Sequence, residues 1–136
     1  ISAQALDCAR TNGRLLNLSI DWLAADWFEG IPAKLWHVIV SNPPYMREHD
    51  PHLTEGDLPS EPQCALRSGS NGLCAIKQII DTAPKYLETE GWLLLEHGFD
   101  QAFVVSSLLR ARGFDQVLTR RDWSGQERIT GGKWIN

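Results

Sequence analysis

The run Leu35-Trp36-His37-Val38-Ile39-Val40-Ser41 leads directly into Asn42-Pro43-Pro44-Tyr45, and no other stretch restricts the fold as strongly. Its β-branched and aromatic residues favour extended backbone. The run is apolar enough to be covered on both faces, as the strands of a parallel sheet are. Pro43 and Pro44 lack the N–H that a ladder needs, so the strand must stop at Asn42. Open α/β sheets bind their ligands beyond the carboxyl ends of parallel strands, which makes the residues at this stop the first candidates for a site.

Elsewhere the hydrophobic period switches between helical and strand types, with no repeat and no low-complexity segment, and this predicts an α/β fold. Ser2 is placed to cap a short helix carrying Ala5, Leu6 and Ala9 and ending near Asn12-Gly13. Ser19 to Asp26 reads as a strand, followed by a turn-like segment from Asp26 to Lys34. Met46 to Asn71 has no sustained period and reads as a long ordered loop, a kind of segment that tends to be functional. From Gly72, the residues Leu73, Ile76, Ile79, Ile80, Ala83, Tyr86 and Leu87 follow the helical period, with a kink expected at Pro84. Gly91 is expected to end that segment and Trp92 to Gly98 to form a second buried strand. A helix over Gln101 to Arg112 follows, with Phe103, Val104, Leu108 and Ala111 inward and Gly113 at its cap. Two last strands, Asp115 to Arg121 and Glu127 to Trp134, are joined by a turn at Ser124-Gly125.

The length of 136 residues and 43% hydrophobic content suit one globular domain. A formal net charge of -4 argues against a protein that holds nucleic acid mainly through phosphate contacts. The basic pair Arg120-Arg121 reads as a solvated strand end. Cys8, Cys64 and Cys74 stand in no C-x-x-C arrangement and cannot all pair, so neither a disulfide framework nor a zinc site is suggested and a reducing cytoplasm fits best. The sequence has no apolar run of about 18 residues and no charged-then-apolar leader, so neither a membrane span nor a signal peptide is expected.

Asn-Pro-Pro-Tyr at a strand end has a definite chemistry. Asn42 offers an amide oxygen, and the prolines leave the Pro43 carbonyl free to point outward as a second acceptor. Tyr45 adds a flat face and a hydroxyl. Two acceptors and an aromatic wall suit a planar –NH2 group, each N–H held by one oxygen and the nitrogen aimed at an electrophile. An amide or exocyclic amine is a poor nucleophile, so orientation and stabilisation of the charge building on nitrogen are what it needs. The electrophile this implies is the methyl group of S-adenosylmethionine. An ordinary turn after a strand is the bland alternative for the same residues.

The segments "DWFEG", "VIVSNPPY", "DPHL", "EPQCAL", "GLCAIKQIID", "GWLLLEHG" and "ERIT" together resemble the peptide chain release factor glutamine methyltransferases, from Ile1 to about Trp134. The resemblance implies a Rossmann-like class I S-adenosylmethionine-dependent methyltransferase fold. It also implies transfer of a methyl group to the side-chain amide of the glutamine in the Gly-Gly-Gln motif of release factors. On this reading Asn42, Pro43, Pro44 and Tyr45 hold the glutamine, with Asn42, Pro43 and Tyr45 closest to the chemistry, and Asn42 also lies near the donor. Trp27 would line the adenine pocket, although by itself it reads equally as a core aromatic. Asn-Pro-Pro-Tyr also occurs in amino-methyltransferases of DNA. A nucleic-acid enzyme, or a non-catalytic remnant that binds a partner, are therefore the competing readings.

Enzymes of this class hold the cofactor with a glycine-rich loop after the first strand and an acidic residue after the second. Neither is found. Gly69 to Gly72 follows a loop, and Gly131-Gly132 reads as a pair of turn or bulge glycines. The chain thus resembles part of a catalytic domain, truncated at its N-terminus, with the first two strands missing. The family's sheet runs third, second, first, fourth, fifth, seventh, sixth, so Ser19 to Asp26 would lack its neighbour and Val38 to Val40 would form an apolar edge prone to pair with another chain. Weak cofactor binding, and either self-association or reduced stability, are the expected consequences. His49 and His52 lack a third ligand, and methyl transfer from a sulfonium needs no metal. Glu96-His97 reads as a brace for the site rather than as an acid–base pair.

Overall fold

The computed structural model describes residues 2–54 and 56–135, without the side chains of His52 and Leu58, so Ile1, where the resemblance begins, lies outside the described residues. Ile1–Lys34 and Leu35–Asn136 form two compact units.

In the first unit, helix α1 (Ala3–Leu15) starts where the Ser2 hydroxyl accepts from the Ala5 N–H at 3.2 Å. It runs past the expected end at Asn12-Gly13, because Asn17 and not Asn12 takes the left-handed cap, with φ 54°. The Leu18 N–H bonds the Gly13 carbonyl at 2.9 Å and the Asn17 N–H bonds that of Arg14 at 3.1 Å, the paired closure that satisfies a helix's last carbonyls. Gly13 stays in the helix because the Trp22 ring lies against it, and a Cβ there would sit 2.7 Å from Trp22 Cζ2.

The strand expected over Ser19 to Asp26 does not form. Extended residues become a strand only when a neighbour takes up their N–H and C=O groups. The segment carries no ladder; its isolated bridge is a tight turn in which Asp26 and Glu29 exchange backbone bonds of 3.3 and 2.9 Å. Trp27 sits at that turn, half-buried, with φ 51°.

The second unit is built on a four-stranded sheet of β1 (Trp36–Ser41), β2 (Leu87–Glu96), β3 (Phe114–Arg121) and β4 (Glu127–Trp134), in the order β1-β2-β4-β3. β1 and β2 are parallel, and β4 is antiparallel to both β2 and β3. This is the order expected for the last four strands of the family's sheet. β1 is an edge: Val38 is 51% and Val40 70% exposed, so the expectation that this strand is covered on both faces fails, whereas the expected apolar edge is present.

Between β1 and β2 lie α2 (Gln63–Leu66), two single 3-10 turns and α3 (Cys74–Thr82), which buries Ala75, Ile76, Ile79 and Ile80. At Pro84 the helix does not kink but tightens into a 3-10 turn over Ala83–Tyr86. β2 then begins at Leu87, so Gly91 lies inside the strand rather than before it. Glu90, with φ 68°, makes a bulge there, and a Cβ on Gly91 would come within 3.0 Å of the Trp36 carbonyl oxygen.

Helix α4 (Ala102–Arg112) packs on β3 and β4 and is capped by Gly113 at φ 105°. Its inward face is Ala102, Val105, Ser106 and Leu109, nearly opposite the face expected, and Phe103 is 83% exposed. Val104, Leu108 and Ala111 recur at helical spacing just as Ala102, Val105 and Leu109 do, so the helix is apolar on both sides and the sheet decides between them. Gly131 and Gly132 lie in the last strand, as expected, within the β4 ladder and opposite a bulge in β3, and a Cβ on Gly132 would strike Phe114. Leu93, Leu95, Val105 and Leu109 are fully buried between sheet and helices.

Candidate functional site

β1 stops at Ser41, and Asn42 to Tyr45 continue past the carboxyl end of the parallel pair. They line a cavity of about 740 Å³ whose other walls include Met46, Arg47, Glu61, Leu66, Gly98, Asp100, Gln101 and Arg128. Asn42 is exposed, Pro43 buried, and Pro44 and Tyr45 half-buried. Among the described residues, no donor reaches the Asn42 side-chain oxygen or the Pro43 carbonyl.

Three sets of contacts hold this turn. The Tyr45 hydroxyl donates to Glu96 Oε1 at 3.3 Å, and burial, followed by the Glu96 charge, pushes the phenol's pKa up so that the proton is retained. The Tyr45 carbonyl accepts from Gln101 Nε2 at 3.0 Å. The Met46 N–H bonds the Leu66 carbonyl and the Ser68 N–H bonds that of Met46, each at 2.9 Å. The long loop is therefore folded back on the strand end, and its return leg delivers Glu61, Ala65 and Leu66 to the cavity wall. Asn71 Oδ1 takes up the Leu73 N–H and the Ser68 hydroxyl that of Ala75, so the loop closes directly onto α3.

Behind the cavity, His97 is fully buried. Its Nδ1 lies 2.8 Å from the Gly98 carbonyl, which can only accept, so Nδ1 carries the proton. Nε2 then accepts from the Thr130 hydroxyl at 2.7 Å, and Thr130 accepts in turn from Thr119 at 2.9 Å. Burial holds the imidazole pKa below its ordinary value. The unfolded imidazole protonates near pH ~6.5 while the folded one resists, so the unfolded state binds more protons in that window and stability falls as pH drops through it. Thermal melts should show a lower midpoint at pH ~5.5 than at pH ~7, and His97→Gln should shrink that difference. An unchanged difference would remove His97 as its source. Glu96 thus holds the turn through Tyr45, while His97 ties the end of β2 to β4.

Arg128 Nε pairs with Asp122 Oδ2 at 3.2 Å, and its Nη1 reaches the His97 carbonyl at 3.4 Å. The Ser124 and Gln126 N–H groups also point at Asp122, and these bonds, that of Gln126 first, lower its carboxyl pKa. Arg47 and Asp100 pair at 2.7 Å on the rim, where an exposed pair is worth about 0–1 kcal/mol. Sequence reasoning missed Gln101 and Arg128 as site residues. The signal was available, since both follow or flank strand ends at the same edge of the sheet as Asn42. Trp27 lies in the other compact unit. Of the two weighed histidines, His49 is exposed and the His52 side chain lies outside the described residues; among those described, no three His, Cys, Asp or Glu side chains form a metal-binding group.

No family model matches the chain. It is 50% identical over 125 residues to a protein of Pseudomonas aeruginosa named release factor glutamine methyltransferase, which covers 92% of this chain and 45% of that protein. Proteins of the same name from Burkholderia pseudomallei and Yersinia pestis are 45% and 41% identical, covering 97% and 98% of this chain and 49% of each relative. The chain spans about half the length of the curated relatives it matches. Among solved structures, a release factor-specific protein-(glutamine-N5) methyltransferase from Alicyclobacillus acidocaldarius aligns with a TM-score of 0.47 at 27% identity, over 75% of this chain and 50% of that one. Over more than nine-tenths of its length the chain is thus similar to proteins named release factor glutamine methyltransferase, and it matches their carboxyl-terminal part.

Proposed function

We propose that this chain carries the amide-holding side of a methyltransferase site that acts on the glutamine of the Gly-Gly-Gln motif in a peptide chain release factor. The observation that carries the reading is the Asn42 to Tyr45 turn at the carboxyl end of a parallel strand, opening on a cavity, in a chain 50% identical to a protein named for that reaction. Asn42 Oδ1 and the Pro43 carbonyl accept the two amide N–H bonds, which fixes the plane of the amide. The Tyr45 ring closes one side of it. Charge that builds on the amide nitrogen during transfer is stabilised by the two oxygens, and water takes the surplus proton afterwards.

The cofactor of this chemistry is S-adenosylmethionine, which when bound supplies a methyl carbon activated by its sulfonium. Neutral oxygens and an aromatic face at the cavity suit a sulfonium as they suit an amine. Asn42 is the residue of the second unit proposed to face it, and the proposal of a cofactor role for Trp27, in the first unit, rests on the family resemblance alone. Among the described residues no strand is followed by a glycine-rich loop, so the four strands fit the amide side better than the rest of the cofactor. The three free thiols are compatible with a reducing cytoplasm, and the apolar β1 edge supports pairing with a further strand, in self-association or otherwise.

The test is to incubate the chain with S-adenosylmethionine and a release factor and to read the Gly-Gly-Gln peptide by mass spectrometry. One added methyl group on the glutamine supports the reading. Methylation of a duplex oligonucleotide instead would replace it with the nucleic-acid alternative.

A further inference from the structure

Tyr45 is held at two ends by residues that close β2. Its hydroxyl meets Glu96, the last residue of that strand, while its carbonyl meets Gln101, five residues on. The peptide unit between Tyr45 and Met46 is also fastened on both sides, its carbonyl by Gln101 Nε2 at 3.0 Å and its N–H by the Leu66 carbonyl at 2.9 Å. A peptide plane fixed at both poles cannot rotate, which sets the ψ angle of Tyr45 and the direction from which its ring meets the cavity.

Gln101 itself has no freedom to turn. Its side-chain oxygen accepts from the Gly98 N–H at 2.8 Å, and since that group only donates and the Tyr45 carbonyl only accepts, the amide has one possible orientation. The residue is 6% exposed and its own N–H bonds the Gly98 carbonyl at 2.9 Å. Gly72 makes room for the contact: a Cβ there would sit 2.9 Å from Gln101 Nε2 and run into the Tyr45 carbonyl oxygen.

We propose that Gln101 is a positioning residue, which sets the Asn42 to Tyr45 turn at the angle that amide transfer requires by holding the Tyr45 carbonyl. The inference rests on the glutamine-methyltransferase reading of the site. Gln101 lies in the cavity wall, but its side-chain oxygen is taken by Gly98 and its Nε2 by the Tyr45 carbonyl, so the role proposed for it runs through Tyr45.

Gln101→Glu separates this role from simple anchoring. The variant keeps the shape and the acceptor for Gly98, but its ionised second oxygen faces the Tyr45 carbonyl, acceptor against acceptor. At pH ~7.5 kcat should fall about tenfold to a hundredfold, as misplacement of a reacting group by about an ångström does. Relative to wild type it should recover as pH falls toward ~5 and the carboxyl regains a proton to donate. A kcat ratio near one, or a loss that does not change with pH, would overturn the proposal.

A second readout needs no catalysis. The chain has two tyrosines, so ring-labelled tyrosine gives two sets of NMR signals. In Gln101→Glu the Tyr45 signals should shift with the same pH midpoint while those of Tyr86 stay in place. If wild type transfers no methyl group, the functional reading fails by itself, and Tyr45 signals identical to wild type at every pH would separately overturn the link between Gln101 and Tyr45.

Discussion

Asn42→Ala should slow methyl transfer by about 10²–10³-fold, the cost typical of removing one preorganised polar partner from a transition state. The substitution deletes one of two acceptors for the amide N–H groups and leaves the Pro43 carbonyl in place, so binding weakens less than turnover. Asn42 is exposed and bonds no other described residue, so the folded state loses nothing with it. The melting temperature should therefore stay within the range of a surface change, about ±0.5 kcal/mol in stability. Transfer rates and melts on the same preparation check both halves. A rate within a few-fold of wild type would mean that Asn42 ends a strand and does nothing more.

Gly72→Ala should damage fold and site together. With φ 71°, the position costs any residue with a Cβ about 1–3 kcal/mol of backbone strain. The new methyl group would also meet the Tyr45 carbonyl, which cannot yield without moving the turn, and would press on the Gln101 amide. Gly125→Ala is the control, because its φ of 81° carries the same strain but nothing lies within 4 Å of the added atom. Urea midpoints should fall for both and further for Gly72→Ala, and transfer activity should be lost in that variant alone. Equal midpoints and equal activity would show that the contact between Gly72 and Tyr45 is slack.

How far these features were readable from the sequence follows from the range of the interactions behind them. The stop after Ser41, the α3 stripe, the Gly113 cap and the turn at Gly125 each depend on residues within a few positions of one another, and each stands where the pattern put it. The strand expected at Ser19 to Asp26 depends on a partner that the local pattern cannot report. The inward face of α4 was read on the wrong side because Val104, Leu108 and Ala111 recur at helical spacing as well as Ala102, Val105 and Leu109 do, which leaves the helix apolar on both sides. Gly91 read as a terminator, yet it serves as the one residue small enough to pass the Trp36 carbonyl inside a strand. In the site, Asn42 to Tyr45 were visible because backbone chemistry alone marks them. Gln101 was not, since its role exists only once Gly98, Gly72 and Tyr45 are brought together by the fold.

The proposed chemistry requires that this turn recognise a side-chain –NH2. Calorimetric titration of the chain with two short peptides, one containing Gly-Gly-Gln and one Gly-Gly-Glu, isolates that question, because the two side chains match in shape and only one offers N–H donors to Asn42 and Pro43. The glutamine peptide should bind at least about tenfold more tightly, the discrimination expected when two acceptors would otherwise face a carboxylate, and Asn42→Ala should erase most of the difference. Equal affinities for the two peptides, or a preference for the glutamate one, would mean that the cavity beside Asn42 to Tyr45 is not a receptor for an amide.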